Sequence, residues 1–419
     1  MKNTKTQKMT VHHVLILISL ATMAGAAMGM IANTAGLFFG PISEDMNIGR
    51  GTAGMTITVA NLLFPLGGIV FSNVLKGNRV KIYIIPGAVL FAGGTALLAL
   101  APNIYVMFLL NGIRGFGAGF AGSVLITVII NQWFYKSNGL FTGMTMASSG
   151  ITGAVASLIL GKVIQHSSWR TAYAVSAIMI LALYLPAILI PMTLKPDGKK
   201  YRPYGAPIRD DAEGERDTAD DAAIQPAVTA SSGKKIAAAL FIPVLIYATI
   251  TSVSGAYPQH FPGMAESISV HLGVLMTSIV LIANSVGKLT LGLIADHIGV
   301  KKTLLLFLAL MFGATLILLF LPYYGFYVFA AAPFGVVYAL ATVGISLLTK
   351  DIFGIENYTR VYPKVTFYSG IAFALNVSLI GYSYDFTGSY TLALSVLLVI
   401  LAIAAASVIY VYKKKKQLN

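Results

Sequence analysis

Two basic residues lie inside long apolar runs of the sequence, where a charge is costly. Arg114 and Lys288 each have apolar neighbours over several helical turns on both sides. An Arg or Lys at the centre of a membrane span costs about 2.5–3.5 kcal/mol on insertion scales, so such residues persist when a cavity, a carboxylate or a ligand stabilises them. These two cations therefore predict an anion-binding site.

No acidic residue of the sequence stands inside an apolar run, where it could neutralise these cations. Of the 15 Asp and Glu residues, eight lie in one polar segment in the middle of the chain. The other seven lie in connectors or at the ends of apolar runs: Glu44, Asp45, Glu266, Asp296, Asp351, Glu356 and Asp385. A cavity that held Arg114 and Lys288 would thus be net positive. Its expected partner is a small organic anion.

The elements that carry these residues are predicted to be membrane-spanning helices. The 419 residues are 57% hydrophobic and only 11% charged, whereas soluble chains carry about 25% charged residues. Twelve apolar runs reach the length of about 20 residues that a helix needs to cross the hydrocarbon. They cover approximately 14–39, 53–75, 82–101, 104–130, 139–162, 170–193, 236–257, 270–294, 303–322, 325–349, 361–384 and 390–411. The sequence predicts an all-α, multi-pass protein whose surroundings are a lipid bilayer.

The distribution of basic residues orients the spans. If the N-terminus is inside, the inner connectors and tails hold 16 Lys and Arg outside the polar segment, and the outer connectors hold only Arg50, Lys162 and Arg170. Basic residues in short loops stay on the cytoplasmic side. Both termini are therefore expected in the cytoplasm, with the protein in the cell inner membrane. The net charge of +14 does not indicate nucleic acid, because the basic residues lie in these connectors.

The chain divides into two halves that echo each other. We expect residues 1–193 to form an N-terminal six-helix bundle, 194–235 a flexible cytoplasmic linker, and 236–419 a C-terminal six-helix bundle with a basic tail. Met55-Thr56 opens a span with Asn61, and Met276-Thr277 opens a span with Asn284. Two six-span halves with a midplane site between them are typical of transporters. We expect the protein to act as a monomer.

The connector after span eight carries a family signature. In GLIADHIGVKK, the residues Gly292, Asp296, Gly299 and Lys301 resemble a gating loop of the major facilitator superfamily. GLFFGPISEDM from Gly36, NQWFYKSNGLFTG from Asn131 and DIFGIENY from Asp351 resemble motifs of its oxalate:formate antiporter and monocarboxylate transporter branch. The resemblance implies the major facilitator fold, with two six-helix bundles that rock about a central site. It also implies small carboxylates, such as oxalate and formate, as substrates.

The resemblance also assigns roles to individual residues. Lys288 occupies the position of an Arg that holds the substrate carboxylate in these families, although a lysine there could instead extend to the cytoplasmic side. Lys364 lies one place from a second essential lysine of the antiporters, and is either its displaced equivalent or an anchor at the inner end of the span. Arg114 is near, but not in register with, the superfamily's span-four Arg pattern, and serves either substrate binding or gating, or else hydrogen bonds to nearby carbonyls. Further residues line the cavity or bond between helices: Asn61, Asn284 and Tyr368.

Other functional classes lack their residues. The chain has no Cys, which excludes disulfides, iron–sulfur clusters and cysteine nucleophiles. No phosphate-binding Gly-x-x-x-x-Gly-Lys-Ser/Thr motif occurs, and none of the six His lies deep in a span. We therefore expect no enzyme, no cofactor and no metal. Because no acid lies in the pathway, we expect exchange of anions. The alternatives are transport of another solute, including proton-coupled uptake or drug efflux, and a sensor that does not transport.

Overall fold

The computed structural model describes residues 6–135, 138–197, 201–207, 233–266 and 268–418. Twelve helical segments in these ranges are long and apolar enough to cross a membrane, which confirms the predicted number of spans. The helices are α1 (Val11–Ala24), α2 (Gly36–Met46), α3 (Arg50–Val74), α4 (Lys81–Leu98), α5 (Ile104–Phe120), α6 (Ser123–Trp133), α7 (Asn138–His166), α8 (Trp169–Leu189), α9 (Gly233–Ser254), α10 (Phe261–Ala265), α11 (Val270–Ile298), α12 (Val300–Phe320), α13 (Tyr324–Ala339), α14 (Ile345–Thr387) and α15 (Thr391–Leu418).

Spans one, four, seven and ten are interrupted inside the membrane. Span one passes through a π-helical turn, Gly25–Gly29, before α2, and span four breaks between α5 and α6. Span seven contains the 3-10 turn Tyr257–His260, and span ten the π-helical turn Leu340–Gly344. Interrupted spans free backbone groups for other partners and are characteristic of transporter binding sites near the bilayer midplane. Span eleven begins within α14, which kinks at Gly354, where φ is +72°.

The spans form two six-helix bundles with a limited interface. In the N-terminal half, α4 packs against α5 and α8, and α3 packs against α5; in the C-terminal half, α9 packs against α14 and α15, and α11 against α13. The halves meet where α3 contacts α14, α7 contacts α11, and α2 contacts α10. An even number of spans places both termini on one side of the membrane. The basic residues in the connectors on that side predict that it is the inner side.

The two halves contact each other in their outer parts and separate toward the inner side. Between spans two and eleven, the Thr58 hydroxyl donates to the carbonyl of Ala374 at 2.7 Å. Between spans five and eight, the Ser285 hydroxyl donates to the carbonyl of Ala147 at 3.0 Å. One turn further inward on span five, a methyl group added to Gly143 would meet no atom within 4 Å. The chain is thus in an inward-facing arrangement, with a cleft that opens on the cytoplasmic side.

The start of the polar segment between the halves differs from the predicted flexible linker. The ring of Tyr201 stacks on His12 with 4.0 Å between ring centres. The backbone N–H of Tyr204 donates to the carbonyl of Trp133 at 2.8 Å, and that of Gln7 donates to Ala206 at 2.9 Å. Stacked rings and paired backbone groups fix residues 201–207 against the inner face of the N-terminal half. Two stretches of the predicted linker, 198–200 and 208–232, lie outside the described residues.

Candidate functional site

Lys288 lies at the closed end of the inward-facing cleft. On α11, Ser285 contacts span five, Gly287 contacts Val336 of span ten, and Val286 is half exposed toward the lipid. Successive helical residues are about 100° apart, which places Lys288 between the faces that contact spans five and ten, away from the lipid. Lys288 lies about one helical turn inward of Ser285, which contacts span five. Lys288 therefore faces the cleft, as a substrate-binding residue must.

Lys288 has no compensating charge in the described part of the chain, where it makes neither an ion pair nor a hydrogen bond. The acidic residues have other positions. Asp45 pairs with Arg170 and Glu266 with Arg50, both at the outer end. At the inner end, Asp351 pairs with Lys415 at 3.4 Å and Asp296 is exposed. Asp385 and Glu44 lie at the outer end. The side chain of Glu356 is not among those that the structure describes. Among the residues that the structure describes, nothing therefore compensates the positive charge at the closed end of the cleft.

Two asparagines near the depth of Lys288 have side-chain atoms without a hydrogen-bond partner among the described residues. Asn284 lies one turn outward of Lys288 on the same helix and is 2% exposed, and its Oδ1 has no hydrogen-bond partner among the described residues. Asn61 lies one turn inward of Thr58, the residue that contacts span eleven, and its buried Nδ2 likewise finds no partner there. Both amides are placed where a bound ligand could satisfy them.

Arg114 is buried inside the N-terminal bundle instead of facing the cleft. Its Nη2 donates to the carbonyl of Met30 at 2.9 Å, which lies in the turn that interrupts span one. Its guanidinium carbon is 5.7 Å from the centre of the Tyr173 ring on span six, and Gly94 of span three packs against its backbone. The contacts favour the structural alternative, in which Arg114 holds the interrupted first span to spans three, four and six.

We expect Arg114→Leu to destabilise the protein without changing its choice of ligand. The substitution removes the hydrogen bond from Arg114 to the carbonyl of Met30, which keeps the Thr34 hydroxyl as its other donor, and the loss of a hydrogen bond from a charged group costs about 1.5–3 kcal/mol. Thermal unfolding in detergent and ligand competition would measure the two effects. A variant of wild-type stability that had lost transport would instead place Arg114 in the site.

Lys364 and Tyr368 are not brought to the cleft. Lys364 is exposed and Tyr368 is 53% exposed. Both continue the stripe of α14 that carries Leu375 and Leu379, which are 48% and 60% exposed and face the lipid. Residues four positions apart share one face of a helix, so this register favours the role of an inner-end anchor for Lys364.

The gating-loop residues form a one-residue turn between spans eight and nine. Gly299 has φ +85° and ψ 149° and separates α11 from α12. Asp296 neither caps α12 nor pairs with a basic residue in the described chain, and the ammonium of Lys301 lies 5.9 Å from the ring centre of Tyr412. The motif therefore forms a tight turn, and Asp296 has no ion pair among the described residues of this inward-facing arrangement.

We expect opposite effects from alanine at two glycines of this motif. Gly299→Ala forces an L side chain into a conformation that costs about 1–3 kcal/mol, so thermal stability should fall. Gly292→Ala is the matched control, because Gly292 lies within helix α11 with open space around it, and alanine there gains about 0.5–1 kcal/mol. Equal melting temperatures for the two variants would contradict this account of the turn.

An ion-pair network that the sequence analysis did not identify closes the outer end. The guanidinium of Arg50, at the start of span two, pairs with Glu266 and donates to the hydroxyl of Tyr390 at 3.3 Å. The backbone N–H groups of Arg50 and Gly51 donate to the carboxylate of Asp385 at 2.8 Å each. Glu266, Tyr390 and Asp385 belong to the C-terminal half, so this outer latch joins the two halves.

The interruption in span seven adds two buried residues that the sequence analysis missed. Gln259 is 3% exposed, and a methyl group on Gly36 of span one would overlap its backbone carbonyl. His260 is 2% exposed, and its Nε2 lies 2.8 Å from the carbonyl of Val377. The expectation that no histidine is deeply placed is thus wrong for His260. His260 is buried because it belongs to the turn that interrupts span seven.

Comparison with known proteins agrees with this architecture. Residues 17–264 match the family described as the Major Facilitator Superfamily. The chain belongs to the major facilitator superfamily. It is therefore a transporter of this superfamily.

Several curated relatives of this transporter are monocarboxylate transporters. Monocarboxylate transporter 12 of Xenopus laevis is 25% identical over 353 residues, which cover 79% of this chain and 73% of that protein. Monocarboxylate transporter 9 of Pongo abelii is 30% identical over 166 residues, or 38% of this chain and 31% of that protein. The resemblance to the monocarboxylate transporter branch is thus confirmed.

Solved structures of the same fold cover nearly the whole transporter. A mutant form of the nucleoside transporter NupG superposes with a TM-score of 0.65 at 15% identity over 96% of this chain and 99% of that one. A bacterial homologue of the human lysosomal transporter Spinster, solved in an inward-facing, unoccupied conformation, gives a TM-score of 0.61 at 13% identity over 96% and 95%. These likenesses confirm the predicted fold.

Proposed function

We propose that this transporter moves small organic anions, mono- or dicarboxylates such as oxalate- and formate-like substrates, by alternating access and by exchange. The observation that carries the proposal is the uncompensated charge of Lys288 at the closed end of the cleft. An ammonium that is partly withdrawn from water without a partner destabilises the empty protein. A carboxylate bound there would supply the missing charge and hydrogen bonds.

The names of the relatives support the same cargo. Two of them are called monocarboxylate transporters, and a monocarboxylate is an anion that one lysine can neutralise. A lysine binds it as a point charge with rotatable donors, whereas an arginine would fix it in a planar fork. We therefore expect Lys288 to accept anions of more than one shape.

Exchange is favoured over proton coupling by the positions of the acids. Proton symport usually needs a titratable acid in the pathway, and the acidic side chains that the structure describes all lie at the outer or inner ends. A fixed positive charge instead favours return of the carrier with another anion bound, because the empty site carries an unpaired charge through the membrane.

Counterflow in proteoliposomes tests the proposal. Vesicles that contain the purified transporter and an internal pool of unlabelled carboxylate should accumulate the labelled acid, and vesicles without an internal anion should not. Mono- and dicarboxylates of one to four carbons would be compared. Acid-driven uptake that persists without any internal anion would contradict exchange. Binding of the anion without counterflow would indicate a sensor instead of a transporter.

A further inference from the structure

A buried glutamine lies at the break in span seven, on the outer side of Lys288. Gln259 belongs to the turn Tyr257–His260, and its side chain is 3% exposed. Neither its Oε1 nor its Nε2 makes a hydrogen bond of good geometry within the described ranges, although the Tyr338 hydroxyl lies beside it. An amide that loses water without gaining partners is unfavourable. Gln259 therefore has hydrogen-bonding capacity that a ligand could use.

Gln259 lines a small cavity together with Asn33, Thr277 and Tyr338, and these four residues are called the amide pocket. Asn33 comes from span one of the N-terminal half and the other three come from the C-terminal half, so the pocket forms only when the halves meet on the outer side. The Thr277 hydroxyl donates to the carbonyl of Gly273 at 2.9 Å, which leaves its oxygen as an acceptor. The pocket is uncharged, and these four side chains can both donate and accept hydrogen bonds within a lining that is otherwise apolar.

The amide pocket is aligned with Lys288 along span eight. Thr277, Leu281, Asn284 and Lys288 are spaced by four, three and four residues and share one face of the helix, and Leu281 also lines the pocket. At a rise of about 1.5 Å per residue, Lys288 lies about 10 Å inward of Leu281 and about 6 Å inward of Asn284. Hydrogen-bonding groups therefore continue from the lysine toward the outer side.

We propose that the amide pocket determines specificity, and that Gln259 binds an uncharged polar group at the far end of a substrate whose carboxylate lies at Lys288. This inference rests on the proposed function. Because the pocket begins about 10 Å from Lys288 along the helix, the polar group lies several bonds from the carboxylate. The favoured substrates are carboxylates with a terminal hydroxyl or amide, because an alkyl chain of equal length leaves the buried amide unpaired.

The volume of the pocket indicates when the polar group enters. In the inward-facing arrangement the cavity measures about 10 Å³, which is enough for about one water molecule. Gly36 of span one closes it against the backbone of Gln259. The group therefore reaches Gln259 while the outer side is open, and the two halves enclose it when they meet on that side.

Competition by an isosteric pair of acids tests this inference. 4-Hydroxybutanoate and pentanoate have the same length and differ by a terminal hydroxyl in place of a methyl group. Against labelled acid in counterflow, the wild-type protein should prefer 4-hydroxybutanoate by about tenfold, the discrimination of a well-made hydrogen bond. Gln259→Leu should abolish the preference while its pentanoate affinity stays within about twofold. Tyr338→Phe, which removes one hydroxyl from the pocket, should lower the preference severalfold.

Gln165→Leu is the matched control, because Gln165 is exposed at the outer end and should leave the preference unchanged. Three results would overturn the inference alone: a wild-type protein that exchanges both acids equally well, an unchanged preference in both Gln259→Leu and Tyr338→Phe, or an equal loss of both acids in the two variants. The last result would assign Gln259 to the packing of the break. If the wild-type protein exchanged neither acid nor any shorter carboxylate, the proposed function would fail and the amide pocket with it.

Discussion

Lys288→Gln should lower kcat/KM for carboxylate counterflow by about 10- to 150-fold, while the protein still folds and inserts. The range corresponds to the loss of one hydrogen bond between charged groups, about 1.5–3 kcal/mol. Folding should not suffer, because the variant removes a half-buried charge that has no partner in the described chain. Initial rates of counterflow at equal amounts of reconstituted protein measure the effect.

Two further variants serve as controls for the Lys288→Gln result. Lys288→Arg keeps the positive charge and should retain part of the activity, with a preference shifted toward anions that suit a planar fork. Lys364→Gln removes an equal charge from the exposed stripe of span eleven and should stay within about twofold of the wild-type rate, as surface substitutions do. Counterflow by Lys288→Gln at half the wild-type rate or more would remove Lys288 from the site.

Arg50→Gln should shift the transporter toward its outward-open state by about tenfold or more. The variant removes the ion pair with Glu266 and the hydrogen bond to Tyr390, and charge-assisted bonds contribute about 1.5–3 kcal/mol each when buried. Part of that gain is lost to solvent, because Glu266 is 44% exposed. Only the closed outer end contains these contacts, so their loss penalises the inward-facing state alone.

Labelling of single cysteines would report this shift without background, because the natural chain contains no Cys. Val274→Cys at the outer closure should react faster with an impermeant maleimide when Arg50→Gln is present, and Gly143→Cys in the inner cleft should react more slowly. Arg170→Gln is the matched control, since Arg170 pairs with Asp45 within the N-terminal half. Identical labelling in the two arginine variants would show that the outer latch does not set the equilibrium.

The parts of the structure that the sequence predicted are those governed by the cost of transferring side chains into lipid. That cost determined the number of spans and singled out Lys288, which the structure places at the cleft. The role of Arg114 could not be decided because its main partner is the carbonyl of Met30. That group is open to side-chain donors because the regular helix of span one is interrupted there.

The other differences between the sequence predictions and the structure come from helix register and from the absence of charge on the residue concerned. A shift of one residue turns a side chain by about 100°, so short motif matches could not fix the face on which Lys364 lies. Gln259 carries no charge and lies near the end of its apolar run, so nothing in the sequence indicated that its side chain is buried. Arg50 lies at the start of a span, where a basic residue is common and signals no partner. These residues became recognisable only through contacts between the halves.

Discrimination between an acid and its amide tests the role of Lys288 most directly. A short carboxylate and its primary amide have the same shape, and only the acid is charged at pH 7. Binding of both by the purified protein, measured by calorimetry, should favour the acid at least tenfold in the wild-type protein, and Lys288→Gln should abolish that preference. Equal binding of acid and amide by the wild-type protein, or a preference that survives in Lys288→Gln, would contradict the assignment of the carboxylate to Lys288.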